Sequence, residues 1–329
     1  MRVQPDAFAY RFTHYGDADV LARHQFPVPR PRDGEALVEV VVAAINHMDA
    51  FLRNGRESTW HDDPWPRGSG SDFAGIVRAV GPGVTGFRPG DEVIGHVRAG
   101  AHASHLLVPA ANLVRKHRSI EWEVAGGLFL AGATALETLD DLRIGADDTV
   151  VISAAAGGVG CIEAQVAKHR GARVIGTCGD RNFDYLRQLG IHPVRYGDGI
   201  VERIQKAAQG PVTAYIDNFG KDGRDVADAL GVPRERYRSS EDRREVELRL
   251  LRDDPESVAH ATGVLQKVAD LAAGGAFRLL VSGFYHVDDI VEAFEDLEHL
   301  HARGKIVLAT HPVTRIRTLR AREVFEAMP

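Results

Sequence analysis

The sequence predicts an α/β protein of two parts, in which a β-rich N-terminal part precedes a doubly wound parallel sheet. Three observations lead to this prediction. Before Glu121, short apolar stretches are separated by turn residues such as Pro82-Gly83 and Pro89-Gly90, which is typical of β structure. From Glu121 onward, predicted strands and helices alternate, as they do in parallel sheets covered by helices. At residues 149–160 (TVVISAAAGGVG) an apolar strand runs directly into a glycine turn and a helix.

The individual elements follow from periodicity and turn residues. In the β-rich part, short strands are predicted at residues 7–12, 36–43, 72–80, 91–96 and 104–108. In the alternating part the predicted order is helix 122–139, strand 149–153, helix 158–170, strand 172–177, helix 181–189, a short strand near Val194, helix 200–208, strand 213–218, helix 222–230, short strands near 236–239 and 245–250, helix 256–272, strand 278–283, helix 288–302 and strand 305–309. Residues 313–329 form either a short amphipathic helix that docks on the body or on a partner subunit, or a frayed tail.

Composition is that of an ordinary soluble protein and excludes several classes of partner. The 329 residues are 44% apolar and 26% charged, which suffices for two cores. A net charge of −6 gives no basic footprint for nucleic acid or an anionic membrane. No apolar run approaches the ~20 residues of a membrane span, and no signal-peptide core is recognised. With only Cys161 and Cys178 present, no disulfide framework is expected, and we predict a cytoplasmic protein.

The stretch 149–160 is the strongest functional signal. Gly157 and Gly158 lack a Cβ, so a phosphate can approach the backbone N–H groups of the turn. The following helix points the positive end of its dipole at the same place. Strand, glycine turn and helix in this order predict a site for the pyrophosphate of a dinucleotide. Ala155 stands where the usual G-x-G-x-x-G has its first glycine, and a tight turn without a ligand is the alternative interpretation.

The end of the next predicted strand indicates which dinucleotide is expected. NAD sites place an acidic residue there, which accepts hydrogen bonds from the ribose 2′-OH. This chain has Cys178 at that place, followed by Gly179, Asp180 and Arg181. A guanidinium in this position favours the 2′-phosphate of NADPH over NADH, because Arg pairs with phosphate through two hydrogen bonds. Alternatively, Arg181 is an ordinary solvated residue and Asp180 caps the next helix.

Five segments of the chain follow the order found in a known family. They are residues 35–49, ending in Asn46-His-Met-Asp49, residues 70–81, residues 131–135 with Thr134, the turn 154–160, and residues 304–308. Together they resemble the zinc-independent medium-chain dehydrogenase/reductase family, in particular its quinone oxidoreductase branch. The resemblance implies a GroES-like β-barrel catalytic domain from residues 1–121 together with 286–329, a Rossmann NADP-binding domain at 122–285, and an active site in the cleft between them.

The resemblance also implies a set of cofactor-binding residues. They lie in the glycine turn, at strand ends and on one helix, and are Asn46, Thr134, Ala156, Gly157, Gly158, Val159, Thr177, Gly179, Arg181, Tyr196, Asn218 and Phe219. Asn46 and Thr134 would lie near the nicotinamide, whereas Arg181 and Tyr196 would lie near the 2′-phosphate. As alternatives, Asn46 satisfies backbone groups at a strand end, Thr134 bonds back to its own turn, and Tyr196 is a surface aromatic.

Zinc-dependent members of the family hold catalytic zinc with Cys and His side chains. At the matching positions this chain has Asn46 and Ser71, and Met48 stands where alcohol dehydrogenases keep a proton-relaying Ser or Thr. The four-cysteine structural zinc lobe is missing as well. We therefore expect no metal, and a substrate suited to hydride transfer alone, namely a quinone or an α,β-unsaturated carbonyl.

The substrate pocket is expected to contain the aromatic residues Phe51, Trp60, Trp65 and Tyr285. Trp60 and Trp65 either form a lid over a planar substrate or anchor their loop to the barrel. Phe51 replaces a tyrosine found in some quinone reductases, and Tyr285 is expected to overhang the pocket. The proton donor is not identified; Asn46, Thr134 and Tyr285 are the candidates. Asp49 is expected to be structural, and His47 to be packed or solvent-facing, with proton donation as its alternative role.

The leading hypothesis is a homodimeric, cytoplasmic, NADPH-dependent reductase of a small-molecule quinone or enone. One alternative is a specialised enoyl or alkene reductase of a biosynthetic pathway. Another is a non-catalytic NADPH-binding protein with a sensor or crystallin-like role, because a fold does not determine a function. Turnover of NADPH distinguishes the enzymes from the binding protein.

Overall fold

The computed structural model describes residues 6–60, 63–221, 223–299 and 303–311. The segment 313–329, for which the sequence predicts a helix or a frayed tail, lies outside the described residues. The described chain forms a β-barrel, continues into a parallel sheet flanked by helices, and returns to the barrel. The predicted α/β class and the two-part architecture are confirmed.

The N-terminal part is built almost entirely from strands. These are β1 (Asp6–Phe12), β2 (Ala22–Pro27), β3 (Glu35–Ile45), β4 (Arg67–Gly68), β5 (Asp72–Val80), β6 (Glu92–His96), β7 (His105–Pro109) and β8 (Leu113–Arg115), with helix α1 (His47–Arg53) after β3. β3 is the centre of the barrel, because it pairs antiparallel with both β5 and β7. Its end therefore carries Asn46 and α1 to one rim of the barrel.

The middle part contains the parallel sheet. Its helices are α2 (Trp122–Ala125), α3 (Phe129–Asp141), α4 (Gly158–His169), α5 (Phe183–Gln188), α6 (Ile200–Ala208), α7 (Gly223–Ala229), α8 (Ser240–Leu250) and α9 (Pro255–Ala273), and its strands are β9 (Thr149–Ile152), β10 (Arg173–Cys178), β11 (His192–Arg195), β12 (Ala214–Ile216) and β13 (Tyr237–Arg238). The strand order is β11-β10-β9-β12-β13. The order reverses at β9, and ligands of such sheets bind outside the carboxyl ends of the strands at this point.

The chain then returns to the barrel through β14 (Val281–His286), α10 (Ile290–His299) and β15 (Lys305–Ala309). β15 pairs antiparallel with β3, and β14 pairs parallel with β15. The strand predicted at 278–283 forms as β14 and belongs to the barrel sheet. The chain therefore re-enters the barrel at residue 281, five residues before the boundary expected at 286. Short 3₁₀ turns occupy Ala18–Val20, Ala110–Asn112, Asp180–Asn182, Arg234–Arg236 and Val287–Asp289.

Helix α8 replaces the strand predicted at 245–250. The alternation of Val246, Leu248 and Leu250 is typical of a strand. A capping box at Ser239 and Asp242, however, starts a helix just before these residues. The Ser239 side chain accepts from the Asp242 N–H at 3.1 Å, and the Asp242 carboxylate accepts from the Ser239 N–H at 2.8 Å. Val246 and Leu250, four residues apart, are the buried apolar side chains of α8.

The helix predicted at 122–139 is broken at Gly126-Gly127 into α2 and α3. A Cβ at Gly126 would lie 2.6 Å from a Val42 methyl group, so the break brings the helices onto β3. Helix α3 is buried along most of its length, and its Phe129 and Leu130 belong to the same apolar cluster as Met48 and Ala74 of the barrel. One continuous core therefore joins the two parts of the chain. No helix among the described residues is long and apolar enough to cross a membrane.

Candidate active site

A cleft of about 460 Å³ lies between the barrel and the parallel sheet, within the size range of small-molecule sites. Its walls come from the end of β3 and the start of α1, from α3, from the glycine turn, from the ends of β10 and β12, from α8, and from the start of β15. All the residues expected around the cofactor line this cleft except Thr134. The strand ends and the barrel rim therefore form one continuous groove.

The glycine turn forms the floor of the groove at the N-terminus of α4. Gly157 is the N-cap of α4, so the first N–H groups of the helix open into the cleft. A Cβ at Gly160 would lie 2.6 Å from the carbonyl oxygen of Ala154, so only glycine fits there. Ala155 is tolerated in place of the first glycine because Gly176 of β10 lies opposite it: a Cβ at Gly176 would come within 2.7 Å of the Ala155 methyl group.

One end of the groove carries Arg181, and Arg303 lies next to it. Arg181 lines the cleft after β10, and Arg303 donates to the Arg181 carbonyl oxygen and to Asn182 Oδ1, both at 2.9 Å. Burial lowers the pKa of Arg303, and the neighbouring charge of Arg181 lowers it further. Sequence reasoning missed Arg303, because it reaches this site from just before β15; its only sequence signal is a basic residue next to Gly304.

Aromatic side chains and Cys178 complete this end. Tyr196 and Phe219 are exposed, and their rings stack 6.0 Å apart. Cys178 is buried, and burial raises the pKa of its thiol to about 12, so it is not a reactive nucleophile. Asp180 does not cap the next helix with its side chain; its carboxylate instead lies 3.4 Å from Arg195 Nη1. This end of the groove can accept a phosphate and an aromatic base.

The opposite end of the groove, at the barrel rim, holds Asn46 and Lys305. Asn46 is 8% exposed and Lys305 is 5% exposed, and both line the cleft. The Lys305 ammonium donates to Asn46 Oδ1, and also to the Ile45 carbonyl oxygen at 3.1 Å. Lys305 was recognised from the sequence only as part of a strand, because its buried partners lie far away along the chain.

Thr134 is the one expected cofactor residue that the structure removes from the cleft wall. It is fully buried on α3, where Leu130 and Ala131 line the cleft instead. Its hydroxyl has no hydrogen-bond partner among the described residues. The α3 residues that line the cleft thus end at Ala131, three residues before Thr134.

The expected substrate residues divide into one that lines the cleft and three that do not. Phe51 lines the cleft. Trp65 packs edge-on against Phe12 and Tyr15, with ring centroids 5.6 and 5.2 Å apart, which supports an anchor rather than a lid. Trp60 is half-buried against the main core.

Tyr285 departs from the expected overhang above the pocket. It is fully buried in the barrel core, and its hydroxyl donates to the Asp296 carboxylate. The reason is the alternation of β14, which turns this side chain inward toward α10. Tyr285 therefore has no access to the cleft wall from which a proton would be donated.

Two residues next to Asn46 differ in exposure. His47 is exposed at the cleft, and its ring stacks on Phe51 with centroids 6.5 Å apart. Asp49 is buried, and its carboxylate accepts from the Asn46 N–H at 2.8 Å. Burial raises the pKa of Asp49 to about 6, against the lowering effect of that hydrogen bond and of Lys305. Asp49 thus has the structural role expected from the sequence.

The residues at the positions of the family's zinc ligands do not fit zinc. Asn46 and Ser71 present an amide and a hydroxyl, with Asn46 Nδ2 3.5 Å from Ser71 Oγ, whereas zinc prefers thiolate and imidazole ligands. Among the residues that the structure describes, no group of three His, Cys, Asp or Glu side chains is arranged to hold a metal ion.

Comparison with known proteins agrees with this architecture. Residues 32–118 match the family model described as the alcohol dehydrogenase GroES-like domain, and residues 197–308 match the model described as zinc-binding dehydrogenase. The chloroplastic quinone oxidoreductase QR1 of Triphysaria versicolor is 31% identical over 196 residues, which are 56% of this chain and 60% of that protein. The chloroplastic NADPH-dependent alkenal/one oxidoreductase of Arabidopsis thaliana is 33% identical over 194 residues, which are 55% of this chain and 50% of that protein.

The fold is also that of a solved quinone oxidoreductase. The structure of Escherichia coli quinone oxidoreductase complexed with NADPH has a TM-score of 0.77 and 26% identity, covering 92% of this chain and 99% of that one. The two chains therefore share one fold over nearly their whole length. The chain belongs to the medium-chain dehydrogenase/reductase family and groups with its quinone oxidoreductases.

Proposed function

We propose that this protein is an NADPH-dependent oxidoreductase that delivers hydride to a quinone or an α,β-unsaturated carbonyl without a metal. The observation that supports the proposal best is the continuity of the cleft. A single groove runs from the Arg181 guanidinium, which has Arg303 behind it, past a glycine turn at a helix N-terminus, to a buried polar pair, Asn46 and Lys305. These are the features needed to bind a phosphorylated dinucleotide at one end and an acceptor at the other.

The cleft residues fit NADPH. A side chain is excluded at Gly160 by the Ala154 carbonyl, and one at Gly158 would crowd the Lys305 stem, so glycines at both positions leave the backbone N–H groups of the turn open to a pyrophosphate. Arg181 and Arg303 would hold the 2′-phosphate, and Tyr196 with Phe219 would hold the adenine. A phosphate beside two arginines is favoured by charge-assisted hydrogen bonds.

NADPH, when bound, supplies the hydride. The chain then has to orient the acceptor and stabilise the negative charge that develops on its oxygen. Asn46 is the cleft residue with an amide donor at the barrel end, and Lys305 places a cation directly behind it. Phe51 and Leu130 provide apolar surface for a planar acceptor. Solvent that enters the open cleft supplies the proton.

The names of the relatives support the choice of acceptor. One is named as a quinone oxidoreductase and another as an alkenal/one oxidoreductase, and both classes of acceptor delocalise the added charge. Zinc independence is part of the proposal, because Asn46 and Ser71 are poor zinc ligands. Metal analysis of dialysed protein should find no stoichiometric zinc, and one zinc per chain would overturn this part. Sedimentation would test the homodimer, which remains a prediction.

The function is tested by following nicotinamide absorbance with NADPH or NADH and a panel of acceptors. The panel contains benzoquinone, a naphthoquinone, phenanthrenequinone, an aryl enone and, as a control, a simple aldehyde. We expect turnover of quinones or enones that is faster with NADPH, and none of the aldehyde. Tight NADPH binding without turnover of any acceptor would contradict the proposal and favour a specialised pathway substrate or a non-catalytic role.

A further inference from the structure

Lys305 stands where the barrel, the glycine turn and the connection between α2 and α3 meet. Its backbone is fixed by the glycine turn, because the Gly304 N–H donates to the Ala156 carbonyl oxygen at 2.9 Å and Gly304 forms a parallel bridge with Gly157. A Cβ at Gly158 would lie 3.0 Å from the Lys305 Cδ, and one at Gly127 would lie 3.6 Å from its Cε. The apolar stem of the lysine therefore passes close over two glycines.

This path delivers the ammonium to the far side of the cleft, at the end of β3. There it donates to Asn46 Oδ1 and, at 3.1 Å, to the Ile45 carbonyl oxygen. The buried carboxyl groups of Asp49, Asp72 and Glu247 are near enough for their charges to act on it. Burial lowers the pKa of Lys305, while Asp72, Asp49, Glu247 and the Cys161 thiol act to raise it. A cation with three acidic neighbours is thus enclosed at the barrel end of the groove.

The contact determines how the Asn46 amide is oriented. An asparagine side chain has an acceptor oxygen and a donor nitrogen on opposite edges, and an ammonium can bind only the oxygen. Asn46 Nδ2 is thereby turned away from Lys305, and its neighbour Ser71 Oγ lies at the long distance of 3.5 Å. Replacing the ammonium with an apolar group would remove the reason for this orientation.

We propose that Lys305 is a positioning residue for the reduction: it holds the Asn46 carboxamide by its oxygen, so that the amide N–H group is presented to the acceptor oxygen in the cleft. The proposal rests on the proposed function and adds a residue to it. When hydride adds to the β-carbon of an enone, the C=C π pair forms a new double bond between the α-carbon and the carbonyl carbon, and the C=O π pair moves to the oxygen. The Asn46 N–H, polarised by the cation behind it, stabilises that oxygen, and a solvent proton completes the reduction.

The test is a double-mutant cycle of Lys305→Met and Asn46→Ala, with the exposed Lys206→Met as control. We expect each single change to lower kcat roughly 100-fold, the typical effect of losing one oxyanion donor, with the KM for the acceptor and the Kd for NADPH within about threefold. Because Lys305 acts through Asn46, the double variant should be no slower than Asn46→Ala. Multiplied losses, or an unchanged kcat in Lys305→Met, would overturn the proposal.

The pH profile gives a second readout. In the wild type kcat should fall at alkaline pH as Lys305 loses its proton, with a midpoint below the ordinary lysine value, and Asn46→Ala should lack this limb. A limb that persists in Asn46→Ala would contradict action through the amide.

A measurement that does not depend on turnover tests the contact between Lys305 and Asn46 directly, so that lost activity in a misfolded variant is not mistaken for support. In ¹⁵N-lysine-labelled protein saturated with NADPH, the Lys305 ammonium should give a signal protected from exchange, which Asn46→Ala shifts and Lys206→Met does not. An unshifted signal would show that the contact is not made. If the wild type binds NADPH and shows this signal but reduces no acceptor, the proposed function fails while the contact stands, and the positioning role is then refuted.

Discussion

Glu163 is a carboxyl group that costs stability at neutral pH. It is fully buried on α4; its Oε2 accepts from Asn218 Nδ2 at 2.5 Å, and its Oε1 has no hydrogen-bond partner among the described residues. Burial raises the pKa of Glu163 to about 7, although the Asn218 hydrogen bond and the charge of Arg243 oppose the rise. The nearby Glu247 carboxyl reinforces it. We predict that Glu163→Gln stabilises the protein at alkaline pH.

The sign and size follow from proton linkage. The folded-state pKa lies above the unfolded value of 4.5, so the folded state binds more protons between these two values and stability falls as pH rises through that window. The rise from 4.5 to about 7 corresponds to about 3 kcal/mol above pH 7, since each pKa unit is about 1.4 kcal/mol. Glutamine keeps an acceptor for Asn218 and carries no charge. The variant should therefore gain about 3 kcal/mol at pH 8 and less than about 1 kcal/mol at pH 5.

Urea unfolding at pH 5 and pH 8 measures this difference. The control is Glu245→Gln on α8, which is exposed, and which should change the free energy of unfolding by less than about 0.5 kcal/mol at either pH. A gain in Glu163→Gln that is equal at both pH values would refute the linkage argument. A loss of stability at pH 8 would show that the carboxylate is stabilised by its neighbours.

Two further predictions concern the cofactor groove. Arg181→Ala and Arg303→Ala should each raise the Kd for NADPH roughly 10-fold and leave the Kd for NADH nearly unchanged, because one charge-assisted hydrogen bond contributes about 1.5–3 kcal/mol. Equal losses of affinity for both dinucleotides in a binding titration would contradict a 2′-phosphate role. Gly160→Ala should weaken both dinucleotides roughly 100-fold or more, because its methyl group would lie 2.6 Å from the Ala154 carbonyl oxygen and displace the turn. Gly210→Ala, where a Cβ meets nothing within 4 Å, is the matched control, and equal affinities of the two variants would show that the turn does not form the site.

Much of the fold could be predicted because its signals are local. The strand, glycine turn and helix at 149–160 are encoded in consecutive residues, and β9 and α4 form there. The errors arise where a local signal competes with another. At 245–250 the alternation of apolar residues indicated a strand, but the capping box at Ser239 and Asp242 begins α8 instead.

The candidate site was predictable where its residues belong to such local motifs. Gly157, Gly158 and Arg181 lie at or just after strand ends, and the sequence directs them to the groove. Tyr285 and Trp65 were expected near the substrate, but the direction of a side chain depends on which face of a strand or loop meets the core. Tyr285 points inward to Asp296, and Trp65 packs on Phe12.

The sequence by itself thus determined the fold class, the dinucleotide turn and the expectation of a phosphorylated cofactor, because each depends on neighbouring residues and their backbone preferences. Only the tertiary structure brought Arg303 beside Arg181, and Lys305 against Asn46. Both pairs join residues more than one hundred positions apart, and their contact is decided by the return of β15 to the barrel and its bridge to the glycine turn. Burial of a charged group is likewise decided by packing. The raised pKa of Glu163 therefore could not be predicted from the sequence.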